Sequence, residues 1–73
     1  MGVATTPKAL AKDLGKSVDK LYRWANRKND PLPIRYVVEE DGTPERYGAI
    51  LNREFEEWFI KNSVLMNERN GNG

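Results

Sequence analysis

Lysine and arginine recur at helical spacing in the second quarter of the chain. Lys20, Arg23 and Arg27 lie three and four residues apart, so a helix would present them on one face. An α-helix fits the major groove of duplex DNA, where arginine pairs with both acceptors of guanine and lysine neutralises phosphate. We expect this face to contact DNA, with base contact by Arg23 favoured over Arg27. An ordinary solvated helix face is the alternative.

Three other groups of residues could take part in binding or catalysis, but each also has a simpler structural explanation. Lys8, Lys12 and Lys16 repeat every four residues. They either contact DNA phosphates or form an ordinary charged surface, and Lys16 is the one favoured for contact. The aromatic side chains could stack on bases, but their helical spacing predicts a core instead; they are Trp24, Phe55, Trp58 and Phe59. Glu54, Glu56 and Glu57 are interpreted as a solvated face rather than as paired catalytic carboxylates or a metal site.

Composition narrows the classes of function. The 73 residues contain no cysteine and no histidine, which removes disulfides, thiolate chemistry, imidazole bases and the usual zinc ligand sets. A chain of this length forms one small domain. We therefore expect a protein that is not an enzyme and uses no metal or cofactor. The sequence shows neither an apolar run of membrane-spanning length nor a secretory pattern in Met1 to Thr6, which predicts a cytoplasmic location without membrane association.

Charge is distributed unevenly along the chain. Residues 1–35 contain eight basic and three acidic side chains, a net +5, whereas residues 36–73 contain four basic and eight acidic ones, a net −4. A basic surface attracts polyanions and an acidic surface repels them. The first half is therefore the predicted side of contact with nucleic acid, and the acidic half is a candidate surface for a protein partner.

Local signals predict two short helices joined by a tight turn. Thr6-Pro7 is a good helix opening, and the first helix should run from about Pro7 to Leu14. Gly15 can end that helix, and Ser17 can cap a second helix over roughly Val18 to Arg27. Such a pair has the dimensions of a helix-turn-helix. On the second helix we expect an apolar stripe to face the core, with Tyr22 bordering the cationic face; the stripe is Val18, Leu21 and Ala25, with Trp24 at its edge.

The remaining sequence predicts a hairpin, a third helix and a tail. The Asp30-Pro31-Leu32-Pro33 connector cannot continue a helix. Residues 34–38 and 46–50 are candidate strands joined by turn residues, a hairpin of the kind called a wing. Asn52 is expected to cap a third helix that either frays near Asn62 or continues to Met66. The predicted domain covers residues 1–66, and residues 67–73 are expected to form a disordered tail.

The ordered series of these motifs resembles the excisionase-like winged helix-turn-helix DNA-binding domains, which are related in fold to the mercury-resistance regulator family. The residues that carry the resemblance run from Thr6 to Phe59 and include Thr6-Pro7-Lys8-Ala9-Leu10-Ala11, Leu14-Gly15-Lys16-Ser17, Leu21-Tyr22-Arg23-Trp24, Leu32-Pro33 and Asn52-Arg53-Glu54-Phe55-Glu56-Glu57-Trp58. The resemblance implies an α+β fold with a two-helix unit, a β-hairpin wing and a C-terminal third helix.

The resemblance also implies how such a domain would meet DNA. The second helix would enter the major groove, with Lys20, Arg23 and Arg27 as reading residues and with Lys16 and Ser17 near a phosphate. Tyr22 would either pack on the wing or touch a phosphate. The wing tip departs from the family pattern, because residues 39–46 contain four acids and only Arg46 as a cation. Contact by the hairpin is therefore expected only from Arg46 or Arg35.

Several biological roles fit this reading. The first is a phage or mobile-element excisionase, also called a recombination directionality factor, which assists integrase-mediated DNA recombination in the excision direction. Because one small domain offers limited contact area, we expect weak binding by one copy and cooperative loading of several. A bacteriophage transcription regulator and a terminase small-subunit-like domain are the alternatives within DNA binding. A protein-interaction module that uses the acidic hairpin and third helix is the alternative from another class.

Overall fold

The computed structural model describes residues 2–71, so Met1, Asn72 and Gly73, at the ends of the predicted domain and tail, lie outside the described residues. The chain forms a small α+β fold with a two-stranded antiparallel sheet. Its elements in chain order are β1 (Ala4–Thr5), α1 (Pro7–Leu14), α2 (Val18–Ala25), β2 (Ile50–Leu51), α3 (Asn52–Lys61) and α4 (Met66–Gly71).

Capping residues fix the first helix pair. The Thr6 side chain accepts a hydrogen bond from the backbone N–H of Ala9 at 3.1 Å, and Pro7 occupies the first turn of α1. Gly15 ends the helix with φ at +70°, and the Lys16 N–H then reaches back to the Ala11 carbonyl at 2.8 Å. The predicted bounds of α1 and the tight turn after it are confirmed.

The second helix is shorter than predicted. Ser17 caps it as expected, accepting from the Lys20 N–H at 3.3 Å, but α2 ends at Ala25 instead of Arg27. The Asn26 side chain donates to the Tyr22 carbonyl at 2.9 Å. A short amide side chain that bonds to backbone in this way competes with continuation of the helix, so Arg27 follows α2 instead of belonging to it.

The third helix starts without the predicted side-chain cap. Asn52 is the first residue of α3 and Leu51 occupies the cap position, where no side-chain hydrogen bond forms. The prediction that Asn52 caps the helix was wrong because its side chain has another partner, the Gly2 carbonyl, to which it donates at 2.7 Å. Of the two predicted ends, the one near Asn62 is confirmed, since α3 stops at Lys61.

The sheet joins segments far apart in sequence. Ala4 pairs with Leu51 and Thr5 with Ile50, and the Asn52 N–H donates to the Val3 carbonyl at 2.9 Å. This pairing was not predicted, since neither two-residue strand has enough length for a periodic pattern. It ties the segment before α1 to the start of α3.

The predicted hairpin is present in an irregular form, named here the 34–50 hairpin. The prediction of strands over residues 34–38 and 46–50 was wrong. The two arms meet at isolated bridges, Arg35 with Ala49 and Val38 with Pro44, and Ile50 pairs with Thr5 instead. Pro44 has no N–H to donate, which limits regular pairing near the tip. Gly48 allows close packing at the base, because a Cβ there would lie 2.7 Å from Ile34 Cγ2 and 3.0 Å from Tyr36 Cε2.

One hydrophobic core lies beneath these elements. Leu21 and Ile50 are fully buried, and Trp24 and Trp58 contact each other with ring centroids 5.4 Å apart. The predicted core stripe of α2 is confirmed, and Trp58 of α3 is buried as its spacing indicated. The prediction that Phe59 belongs to the core was wrong, since its side chain is 40% exposed and lies outside the core cluster, 5.4 Å from the Phe55 ring. The whole core comprises Leu10, Ala11, Leu21, Leu32, Ile50 and Trp58, packed by Leu14, Val18, Trp24, Ala25, Ile34 and Phe55.

The C-terminal segment differs from the predicted disordered tail. Residues 66–71 form the short helix α4, and the Glu68 carboxylate accepts from the Leu65 N–H at 3.1 Å. A carboxylate in the first turn satisfies one of the unpaired amides and complements the helix dipole. None of the helices within residues 2–71 has the length and apolar character needed to cross a membrane.

Candidate nucleic-acid interface

The cations at the start of α2 are exposed and unpaired among the described residues. Lys16 lies in the turn, Lys20 and Arg23 lie on the outer face of α2, and all three are exposed. The ion pairs found within residues 2–71 involve other cations, Arg35 with Glu54 and Lys61 with Asp30. The charges of Lys16, Lys20 and Arg23 are therefore available to a ligand.

Arg27 is placed differently from the other predicted reading residues. Its guanidinium carbon lies 5.4 Å from the centre of the Trp58 ring, a cation–π contact that points it toward α3. The structure thus brings Lys20 and Arg23 together on α2 but separates Arg27 from them. The expectation that all three lie on one helical face was wrong, because α2 ends before Arg27.

Tyr22 faces the 34–50 hairpin. Its side chain is 41% exposed and lines a cleft together with Val18 of the same helix and Tyr47 of the hairpin. The cleft thus brings α2 and the 34–50 hairpin together around two phenol rings. Sequence reasoning missed Tyr47, although its position between Arg46 and Gly48 in a candidate strand was a usable signal.

Arg46 lies in the second arm of the hairpin, beside Tyr47. Its guanidinium carbon is 5.5 Å from the centre of the Tyr47 ring, and both side chains are exposed. The hairpin tip carries the exposed acids Glu39, Glu40 and Asp41. The hairpin's positive charges are therefore Arg35 and Arg46 in its two arms, and its tip is acidic.

Asp41 shapes the hairpin tip. Its carboxylate accepts from the Thr43 hydroxyl at 2.7 Å and from the Thr43 N–H at 3.0 Å. These hydrogen bonds lower the pKa of Asp41 below its ordinary value, chiefly through the Thr43 hydroxyl. A change at Asp41 would thus alter the turn itself, while Glu39 and Glu40 can be changed without removing these bonds.

Arg35 is engaged inside the fold. Its Nε donates to Glu54 Oε1 at 2.7 Å and its Nη2 donates to Glu54 Oε2 at 2.6 Å, a two-pronged pair between the hairpin and α3. This pair lowers the pKa of Glu54, mainly through the side-chain hydrogen bond, and raises the pKa of Arg35. This pairing disfavours the prediction that Arg35 contacts DNA. Glu54 was predicted to belong to a solvated helix face, but it holds the hairpin instead.

The Arg35–Glu54 pair predicts a specific pH dependence. Because the pKa of Glu54 is lower in the folded state, its stabilising contribution is present at neutral pH and is lost as pH falls through that lowered value. Thermal unfolding measured from neutral to acidic pH should show the difference between the parent chain and Glu54→Gln shrinking as pH falls. Carbon-detected NMR titration should show the Glu54 pKa returning to its ordinary range in Arg35→Gln. An unchanged Glu54 titration in that variant contradicts the assignment.

Acidic side chains elsewhere do not assemble into a compact group. Within the described part of the chain, no three acidic residues lie close enough together to hold a metal ion. Glu56 and Glu57 are both exposed on α3. Their arrangement is that of a solvated helix face.

Comparison with known proteins adds no further constraint. No family model, curated protein or solved structure matches the chain. The class that the geometry defines is a small α+β domain with an exposed cationic helix beside an irregular hairpin.

Proposed function

We propose that this protein binds double-stranded DNA in a sequence-specific manner, as a winged helix-turn-helix domain in which α2 enters the major groove. The observation that carries the proposal is the exposed outer face of α2, where Lys20 and Arg23 have no ionic partner among the described residues. Arg23 would read a base edge and Lys20 would contact phosphate. Ser17 caps the start of this helix, and two residues earlier Gly15 ends α1.

The placement of the core supports the same orientation. Leu21 is fully buried and anchors the inner side of α2, while Trp24 packs on Trp58. A helix held from beneath in this way presents its outer side chains on a rigid support, which direct recognition requires. The exposed acidic residues of the hairpin tip and α3 belong to other elements than the proposed DNA-binding face of α2.

The biological role we propose is that of an excisionase, a DNA-binding protein of a phage or mobile element that assists an integrase in excision. The resemblance of the ordered sequence motifs to excisionase-like domains supports this role, and the same motifs fit transcription regulation and DNA packaging, which footprinting separates. Binding by several copies on adjacent sites would compensate for the small contact area of one domain.

Selection from a random duplex library tests the DNA-binding proposal. The protein should enrich a defined sequence and bind it about a hundredfold more tightly than a scrambled duplex of equal length and composition, since a small module discriminates less than a large dimer. The affinity should fall as salt rises, with a slope on logarithmic axes that reports the number of phosphates contacted. Equal affinity for the selected and scrambled duplexes would refute sequence-specific binding.

Footprinting separates the biological roles. An excisionase should protect sites beside the recombination core of an attachment site, in steps that reveal several copies. Protection only of the element's promoter would favour a transcription regulator, and protection only at a packaging site would favour a terminase-like domain. Each outcome leaves the mode of DNA binding unchanged and assigns a different role.

A further inference from the structure

A cleft of about 420 Å³ lies between the start of α1, the outer edge of α2 and the base of the 34–50 hairpin. Its rim carries Lys8 from α1, Tyr22 from α2 and Tyr47 from the hairpin. Three separate elements thus place one cation and two phenols around a single depression. Tyr47 is 76% exposed, so its ring and hydroxyl are open to a ligand.

The lining of this cleft, named here the tyrosine cleft, distinguishes it from the other surface depressions described. No carboxylate from the described residues lines it. Three other clefts in residues 2–71 are each lined by at least one glutamate: Glu54 and Glu57, Glu56, or Glu68. Arg46 adds a second cation next to Tyr47. The tyrosine cleft therefore suits an anion better than these three clefts, whose carboxylates would repel it.

The chemistry of the cleft matches a nucleic-acid backbone more closely than an isolated anion. Lysine and phenol hydroxyl groups donate to phosphate oxygens, and the faces of tyrosine rings pack on apolar sugar atoms. Val18 and Pro7 add apolar surface to the same cleft. A ligand that alternates charged phosphate and apolar sugar would satisfy both kinds of lining.

We propose that the tyrosine cleft holds the sugar–phosphate backbone of one DNA strand, with Lys8 and Tyr47 as contact residues in addition to Tyr22. This inference rests on the proposed function. It means that the hairpin meets DNA through its base and not through its tip, where Glu39 and Glu40 repel phosphate. The strand held in the cleft would fix the register in which Arg23 reads the major groove.

Binding of the selected duplex by cleft variants at several salt concentrations tests the inference. Lys8→Gln should reduce the salt slope by about 0.9, the value expected for one lost phosphate contact. Tyr47→Ala should weaken binding about tenfold without changing the slope, and Tyr47→Phe should lose about threefold because it keeps the ring but not the hydroxyl. Arg69→Gln on α4 and Val37→Ala on the hairpin are matched controls, expected to bind as the parent does.

The outcomes separate the inference from the proposed function. If Lys8→Gln and Tyr47→Ala bind as the parent does while Arg23→Ala binds weakly, the cleft assignment is overturned and DNA binding through α2 stands. If the parent shows no affinity for duplex DNA, both are overturned. If Tyr47→Ala changes the mass found by sedimentation equilibrium and leaves DNA affinity intact, the cleft is an interface between copies of this chain, which also overturns the inference.

Discussion

Replacing Lys20 and Arg23 together by alanine should lower the affinity for a selected duplex by about a hundredfold, combining one lost phosphate contact with one lost base contact. Both side chains are exposed on α2 and neither is ion-paired within the described region, so their removal leaves the core intact. Titration of a fluorescent duplex measures the change, and circular dichroism verifies that the variant is folded.

A charge-matched control makes this prediction specific. The double variant Arg53→Ala with Arg69→Ala also removes two positive charges, but from the acidic half of the chain, where both side chains are exposed. If this control weakens binding as much as the α2 variant, the protein attracts DNA only through its net charge. Arg23→Lys is a second control, since it keeps the charge but loses the planar guanidinium that can donate two parallel hydrogen bonds. It should retain the salt slope and lose sequence discrimination.

The largest loss of stability is expected at Trp58. Its side chain is 6% exposed, it packs on Trp24, and its Nε1 donates to the Asp30 carbonyl at 2.6 Å. Trp58→Ala should lower the free energy of unfolding by about 3–5 kcal/mol through the cavity it leaves. A core this small supplies about 3–5 kcal/mol in total, so the variant should be largely unfolded at room temperature. Urea unfolding followed by circular dichroism measures this.

Two further variants separate the ring of Trp58 from its hydrogen bond. Trp58→Phe keeps an aromatic ring but leaves the Asp30 carbonyl without its donor, which should cost about 1–3 kcal/mol. Ile60→Ala changes a residue of the same helix that is 75% exposed and should stay within about 0.5 kcal/mol of the parent. A Trp58→Ala protein as stable as Ile60→Ala would show that the Trp24–Trp58 contact does not hold the fold.

Elements determined by neighbouring residues were predictable from the sequence. The bounds of α1, the cap at Ser17 and the left-handed Gly15 follow from residues within one helical turn of each other. The core stripe of α2 was equally predictable, because its apolar spacing matches a single helical period. For the same reason, the exposed position of Lys20 and Arg23 could be inferred without coordinates.

Features that depend on distant partners were not predictable. The Asn52 side chain bonds to Gly2, Arg35 pairs with Glu54, and Trp58 bonds to Asp30, each across a long stretch of sequence. Nothing in the local pattern distinguishes these partners from other polar groups of the same type. The tyrosine cleft has the same origin, since three elements must pack before Lys8, Tyr22 and Tyr47 share one depression.

In the proposed complex with DNA, the position of Arg27 over Trp58 would couple binding to folding through one guanidinium group. If Arg27 swung out to a phosphate, it would give up its contact with the indole, and the loss would offset part of the gain. We therefore expect Arg27 to contribute less to DNA affinity than Arg23, which has no such contact within residues 2–71. A substitution of Arg27 that strengthened DNA binding would therefore lower the stability of the fold, whereas a substitution of Arg23 would leave the stability unchanged.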